Sequence, residues 1–240
     1  EIMPSLVGSE MCIRDSSDRS TYKLLGGSIG FYGSTLNTRQ YATKGYLEKL
    51  IAQVFTGRER FEPGNPQEGY SPSPQERQSW LQISYMKEAY HTMGPKFTLG
   101  WMAEALYSSK NFSENYTATM MQAGEFAPTP HSKLMYNEAF RANQYVAAGI
   151  KPIYVLNDMF QFRTEFYGFT PIFPIKKNAL NKAYYGKAFS RFEYMGEVSV
   201  ICHLPFGAIS AYVNHYSSPR REWNVGMTIG WQLFNYRFVE

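Results

Sequence analysis

Residues 26–30 read Gly-Gly-Ser-Ile-Gly and match G-x-S-x-G, the motif that holds the nucleophilic serine of many lipid hydrolases. The motif works when the serine lies on a sharp turn between a strand and a helix, which exposes its hydroxyl to the substrate. Here the following residues, 31–35, read Phe-Tyr-Gly-Ser-Thr, which favours a continuing strand. We therefore predict that Ser28 is a small residue on an inward-facing strand position and that it is not catalytic.

Residues 1–16, EIMPSLVGSEMCIRDS, resemble translated sequencing-adaptor DNA, and residues 6–15 match a transposase adaptor without a mismatch. They lack the basic start, apolar stretch and cleavage site of a signal peptide. We treat them as an artefact and expect native sequence from residue 17. Without them the formal net charge rises from +4 to +6, because one basic and three acidic residues are removed. The remaining basic residues are scattered, which disfavours a nucleic-acid partner.

Other side chains with chemical potential are spread along the chain. The four histidines have no spacing that suits a metal ion, and the single cysteine left after residue 16 excludes an intramolecular disulfide and a thiolate cluster. The sequence therefore predicts no cofactor and no metal site. Five charged residues alternate with apolar ones and are expected to face the interior, either as a pore lining or, as we favour, as a paired and solvated network: Arg163, Glu165, Arg191, Glu193 and Glu197.

The last stretch of the chain has the clearest periodicity. From Trp223 to Leu233, apolar residues alternate strictly with small uncharged ones, which is the period-two pattern of a β-strand. Aromatic residues near the strand ends are typical of the girdles of outer-membrane barrels. Four residues also have a spacing that resembles the C-terminal signal by which such barrels are recognised for assembly: Asn224, Gly226, Ile229 and Trp231.

The rest of the chain alternates between strands and turns. A short helix is predicted at 117–123, and eight further strands are predicted at 21–35, 46–58, 80–90, 96–107, 145–156, 159–170, 189–204 and 208–216. No apolar run approaches the roughly 20 residues that a transmembrane helix needs. A membrane protein without such runs crosses the bilayer as a barrel. Its lipid-facing side is expected to include Trp101, Val200, Cys202, Ile229 and Trp231.

Long and short connections alternate between these strands. Outer-membrane barrels have short periplasmic turns and long extracellular loops, whereas a soluble sandwich has no reason to sort its loops in this way. The short class comprises 36–44, 93–95, 157–158 and 205–207, and the long class comprises 61–76, 108–142 and 171–187, with 217–221 as its one short member. The sequence thus predicts an all-β fold, a partial antiparallel transmembrane β-barrel of about nine strands. Because single-chain bacterial barrels have even strand numbers, we expect residues 17–240 to be the C-terminal part of a larger barrel.

Several segments resemble one family, the outer-membrane patatin-like phospholipases, which are related to bacterial surface antigen and outer-membrane assembly barrels. The likeness covers residues 21–240 and is carried by residues 61–65, 111–118, 126–132, 183–186 and 233–237. The resemblance implies a barrel of about sixteen strands that follows a patatin domain and a small periplasmic module. It also implies that the catalytic Ser–Asp dyad lies outside this chain.

The resemblance favours a non-catalytic barrel that anchors a lipid acyl hydrolase in the bacterial outer membrane. Two alternatives stay open on the sequence: an assembly or translocation barrel without a hydrolase, and a porin-like channel. The partners expected for the favoured function are outer-membrane lipids and the barrel assembly machinery, and no nucleic acid.

Overall fold

The computed structural model describes residues 19–38, 40–62, 77–205, 207–218 and 223–231. Nine long strands dominate it, with one short helix and four minor strands in the connections. In chain order the elements are β1 (Arg19–Ser34), β2 (Gly45–Glu62), β3 (Arg77–Thr92), β4 (Phe97–Ser108), α1 (Tyr116–Gln122), β5 (Gly124–Glu125), β6 (Arg141–Ala142), β7 (Gln144–Val155), β8 (Phe160–Pro171), β9 (Ile175–Lys177), β10 (Ala183–Tyr185), β11 (Glu193–Leu204), β12 (Gly207–Tyr216) and β13 (Trp223–Trp231).

The nine long strands form one antiparallel sheet in the order β1-β2-β3-β4-β7-β8-β11-β12-β13. Each strand therefore pairs with its neighbours along the chain. The predicted all-β class, the nine strands and the short helix are confirmed. Within the described residues β1 and β13 each have one neighbour in this sheet, so the sheet is open. The same part of the chain contains no helix long and apolar enough to cross a membrane.

Connections of the two classes lie at opposite ends of the sheet, because consecutive strands run antiparallel. Residues 63–76, 109–143, 172–192 and 217–222 join strands at one end, which we call the long-loop end. Residues 35–44, 93–96, 156–159 and 205–206 join strands at the other, the short-turn end. The minor strands form two small hairpins within the long connections, β5 with β6 and β9 with β10.

The two faces of the sheet differ in composition and in exposure. We call the face that the 109–143 connection covers the inner face and the opposite one the outer face. In β8 the outer face presents Phe160, Phe162 and Phe166, each at least 39% exposed. The intervening Arg163 and Glu165 are buried on the inner face. A period of two in the sequence thus becomes an apolar surface outside and a polar surface inside.

The inner face is covered by the 109–143 connection. Phe126 stacks on Phe169 of β8 with 5.9 Å between the ring centroids, and Phe140 meets Tyr216 of β12 edge-on at 5.8 Å. Both loop residues are 2% exposed. Burying such rings contributes about 3–5 kcal/mol each, judged by the usual cost of truncation to alanine. The connection is therefore part of the core of the protein.

Candidate functional site

The candidate site is the polar interior, and an ion pair on β8 lies at its centre. Arg163 and Glu165 are two residues apart and both point inward, with Nη2 2.9 Å from Oε1. They are 2% and 6% exposed. Arg163 also donates to the Ala42 carbonyl at 2.9 Å, and the Tyr167 hydroxyl donates to Glu165 Oε2 at 2.6 Å. These bonds satisfy the charges that burial would otherwise leave unsolvated.

A second ion pair extends this network across the sheet. Lys151 Nζ of β7 lies 3.1 Å from Glu88 Oε1 of β3, and Lys151 is 3% exposed. Its ammonium also sits above the rings of Tyr90 and Tyr167, 5.8 and 5.7 Å from their centroids. The sequence prediction omitted Lys151 and Glu88, although their inward strand positions were a signal that could have identified them. The charges of these two pairs are thus both paired and buried.

A histidine in the 109–143 connection contacts side chains of β11 and β12 in the interior. His131 Nδ1 lies 2.8 Å from Glu197 Oε1 of β11, and His131 Nε2 lies 3.3 Å from Ser210 Oγ of β12. The Tyr41 hydroxyl is 2.8 Å from the same Ser210 oxygen. The His131 ring stacks on Tyr212 with 3.5 Å between centroids. This cluster joins both connections, 109–143 and 35–44, to the sheet.

The order of groups in this cluster is carboxylate, imidazole and hydroxyl, the order found in serine nucleophile sites. Ser210 is only 1% exposed, however, and its hydroxyl is shared with Tyr41. A carbonyl carbon has no approach to such an oxygen, so the cluster acts as a cross-link. Beside it, Glu197 Oε2 and the amide atoms of Asn214 have no hydrogen-bond partner among the described residues, a position that suits a buried water.

Of the other three predicted inward charges, one lies beside this centre and two lie apart from it. Glu197 faces Glu165 directly across neighbouring strands, and each has its own partner. Arg191 and Glu193, in contrast, form a pair at the long-loop end with Nε 2.7 Å from Oε1. The Arg191 side chain is 31% exposed. The structure therefore brings three of the five predicted residues together and places the other two at the long-loop end.

Four of the predicted lipid-facing residues lie on the outer face. Val200 and Ile229 are 49% and 62% exposed, whereas Trp101 and Cys202 are half-buried. Trp101 Nε1 donates to His91 Nε2 at 3.3 Å. The predicted assembly signal falls in β13, with Ile229 on the outer face and Asn224 and Gly226 on the inner face. Trp231 ends that strand, and its side chain lies outside the described part of the structure.

Ser28 has none of the geometry of a nucleophile elbow. It lies in the middle of β1 opposite Gln53 of β2, and β1 continues without a turn to Ser34. The described residues also contain no group of three histidine, cysteine, aspartate or glutamate side chains that could hold a metal ion.

Lys110 connects the 109–143 connection to the first strands of the sheet. Its ammonium lies 4.9 Å above the Trp80 ring and 5.7 Å above the Tyr22 ring. Burial lowers the pKa of Lys110 to about 8, because the charged form loses solvent, and the charge of Glu59 opposes this change only in part.

Comparison with known proteins finds no relative: no protein-family model, no curated protein and no solved structure matches the chain.

Proposed function

We propose that the chain is the membrane-embedded C-terminal part of an outer-membrane β-barrel that anchors a patatin-like lipid acyl hydrolase. One observation carries the membrane proposal: the middle of the outer face is apolar although it is exposed, whereas buried charges lie on the inner face. Ile29, Ile150 and Val225 are 78%, 51% and 79% exposed on the outer face, while Lys151 and Arg163 are buried inside. Water penalises this distribution, and a bilayer favours it.

The sorting of connections supports an orientation. Long extracellular loops and short periplasmic turns are the rule in outer-membrane barrels. The long-loop end is therefore assigned to the cell exterior and the short-turn end to the periplasm. Under this assignment the outer face between the two ends contacts lipid.

The hydrolase part of the proposal is supported by resemblance alone. The chain supplies the anchor, and the catalytic serine and aspartate belong to a domain outside it. Ser28→Ala in the complete polypeptide is therefore expected to leave lipase activity unchanged. A variant that assembles normally but loses activity would contradict the assignment of Ser28 to a strand.

The packed interior argues against one of the two alternative functions, the porin-like channel. A diffusion channel needs an open lumen, whereas the inner face of β7, β8, β11 and β12 is covered by the 109–143 connection. This disfavours the porin-like alternative. An assembly barrel differs from the proposed anchor in what precedes it, so an upstream region with periplasmic repeats and no G-x-S-x-G serine would favour that alternative.

Cysteine labelling of intact cells tests the membrane proposal. In a background lacking Cys202, single cysteines are placed at Leu134 and Asn157, both exposed and at opposite ends of the sheet. A membrane-impermeant maleimide should label position 134 in intact cells and position 157 only after the outer membrane is opened. The reverse pattern would invert the topology, and equal labelling of both positions in a soluble fraction would refute the barrel.

A further inference from the structure

Four cations lie side by side on the outer face at the long-loop end of β1, β2 and β3. Lys23 faces Arg58, and Arg58 faces Arg77 on the next strand, so three cations form a row across three strands. Arg60 lies two residues further along β2, on the same face. We call these four residues the basic patch. All of them are exposed.

Among the described residues, Lys23, Arg58 and Arg77 have no acid beside them on the outer face. Glu62 is the one acid on this described part of the face, and it pairs with Arg60 at 2.9 Å. Like charges directly opposite each other on neighbouring strands destabilise a sheet. A bound anion relieves that repulsion, and guanidinium groups suit the oxygens of phosphate. Three of the four cations, with Arg19, Thr21 and Glu62, line a cavity of about 240 Å³.

The patch continues directly into the apolar outer face. On β1 the outward positions after Lys23 include Leu25, Ile29 and Phe31, which are 75%, 78% and 60% exposed. The nine residues from Lys23 to Phe31 make eight steps and cover about 26 Å of strand, which at the usual tilt crosses most of the apolar band of about 25 Å in a barrel. If that band lies in hydrocarbon, the patch lies at the level of the lipid headgroups.

The rest of the long-loop end is different. Three of its outward positions on later strands are aromatic: Tyr107 on β4, Tyr194 on β11 and Trp223 on β13. At the short-turn end of β2 and β3, the outward charges are balanced, with Lys87 3.5 Å from Glu48. Among the described strand positions of the outer face, positive charge is therefore concentrated at the long-loop end of β1 to β3.

We propose that the basic patch binds the phosphate groups of anionic lipids in the membrane leaflet at the long-loop end. This rests on the proposed membrane function. The charge of the patch selects phosphate, and its continuity with the apolar face selects phosphate that is attached to lipid. The patch thus gives the barrel a preferred lipid neighbour on the side of β1 to β3.

The test measures lipid binding by the complete polypeptide in detergent micelles, using native mass spectrometry. The probes are bisphosphorylated lipid A, its dephosphorylated form and phosphatidylcholine. The variant Lys23→Gln/Arg58→Gln removes two patch cations. The control Lys44→Gln/Lys96→Gln removes two exposed cations at the short-turn end. Because each surface cation near anionic lipid contributes about 1 kcal/mol, the patch variant should lose roughly tenfold or more in affinity for the phosphorylated lipid. The control should stay within about twofold of the wild type.

Further measurements separate the possible outcomes. Raising the salt concentration should weaken binding of the phosphorylated lipid to the wild type, a result that does not depend on the folding of any variant. Equal affinity for phosphorylated and dephosphorylated lipid A, or equal loss in the control, would overturn the lipid site. Displacement by millimolar inorganic phosphate would show a site for free anions instead. If the wild type retains phosphatidylcholine without preferring phosphorylated lipid A, this inference alone fails. If it retains no lipid of any kind, the membrane proposal fails with it.

Discussion

The inner and outer faces of β8 differ in what their side chains require. The outer side presents exposed phenylalanines, while the inner side carries Arg163 and Glu165 within a network of hydrogen bonds. Under the proposed membrane function the outer residues need only be apolar, because lipid adapts to their shape. The inner residues depend on particular partners from distant parts of the chain. Substitutions on the inner face should therefore be judged by lost partners, and those on the outer face by polarity.

The largest effect is expected when the central ion pair is broken on one side. Glu165→Leu leaves Arg163 buried beside an apolar group, which should cost about 3–5 kcal/mol of unfolding free energy. The double variant Arg163→Met/Glu165→Leu should recover most of that loss, since no charge remains unpaired. Urea unfolding of the complete polypeptide in micelles measures both. A double variant as unstable as the single one would show that pairing is not what matters on the inner face.

A charge on the outer face should have the next largest effect. Val200→Arg places a guanidinium in mid-strand on β11, where Val200 is 49% exposed, and should cost about 2–4 kcal/mol in a bilayer. The matched control is Leu134→Arg in the 109–143 connection, which should change stability by less than about 0.5 kcal/mol. Equal costs for the two variants would argue that both positions face water.

Loss of the histidine cross-link should have an intermediate effect on stability. His131→Ala removes the contacts to Glu197 and Ser210 and leaves a buried carboxylate without its partner, at a cost of about 1–3 kcal/mol. The connection should also become easier for a protease to cut between 109 and 143. Lys133→Ala, an exposed neighbour, serves as the control. Unchanged cleavage in the His131 variant would mean that aromatic packing alone holds the connection in place.

Lys110 should produce a smaller effect that depends on pH. Its pKa is about 8 in the folded protein and near 10.5 in the unfolded chain. Between these values the unfolded chain binds more protons, so stability should rise as the pH increases from 8 to 10.5. Lys110→Met should flatten this rise. The lowered pKa of Lys110 would be contradicted if the stability of the wild type fell over the same pH interval and Lys110→Met left that pH dependence unchanged.

The smallest effect is expected at the edge of the interior. Glu193→Gln weakens an ion pair whose partner, Arg191, is partly exposed, and such pairs contribute about 0–1 kcal/mol. The amide oxygen of glutamine can still accept from the Ser217 hydroxyl. We expect a change within about 0.5 kcal/mol in the same unfolding assay. A loss comparable to that of Glu165→Leu would erase the distinction between the rim and the centre.

The sheet was predictable from the sequence because its signal is local. The alternation of Phe160, Gln161, Phe162 and Arg163 defines strand and faces without reference to any other segment. The interior was not predictable in the same way, since the 109–143 connection has no regular period and reads as a polar loop. Phe126 and Phe140 were the available signal, because an external loop has little use for two phenylalanines that can reach a core.

The meeting of Tyr41 with Ser210 has a consequence for the order of folding. Every strand pairs with its sequence neighbours, so the sheet can grow one hairpin at a time with little loop-closure entropy. The contact between the two hydroxyls spans 169 residues and requires β12 to be in place. Contacts of such sequence separation form slowly. We expect the interior to become protected from hydrogen exchange later than the strands, with the 35–44 connection docking as one of the last steps.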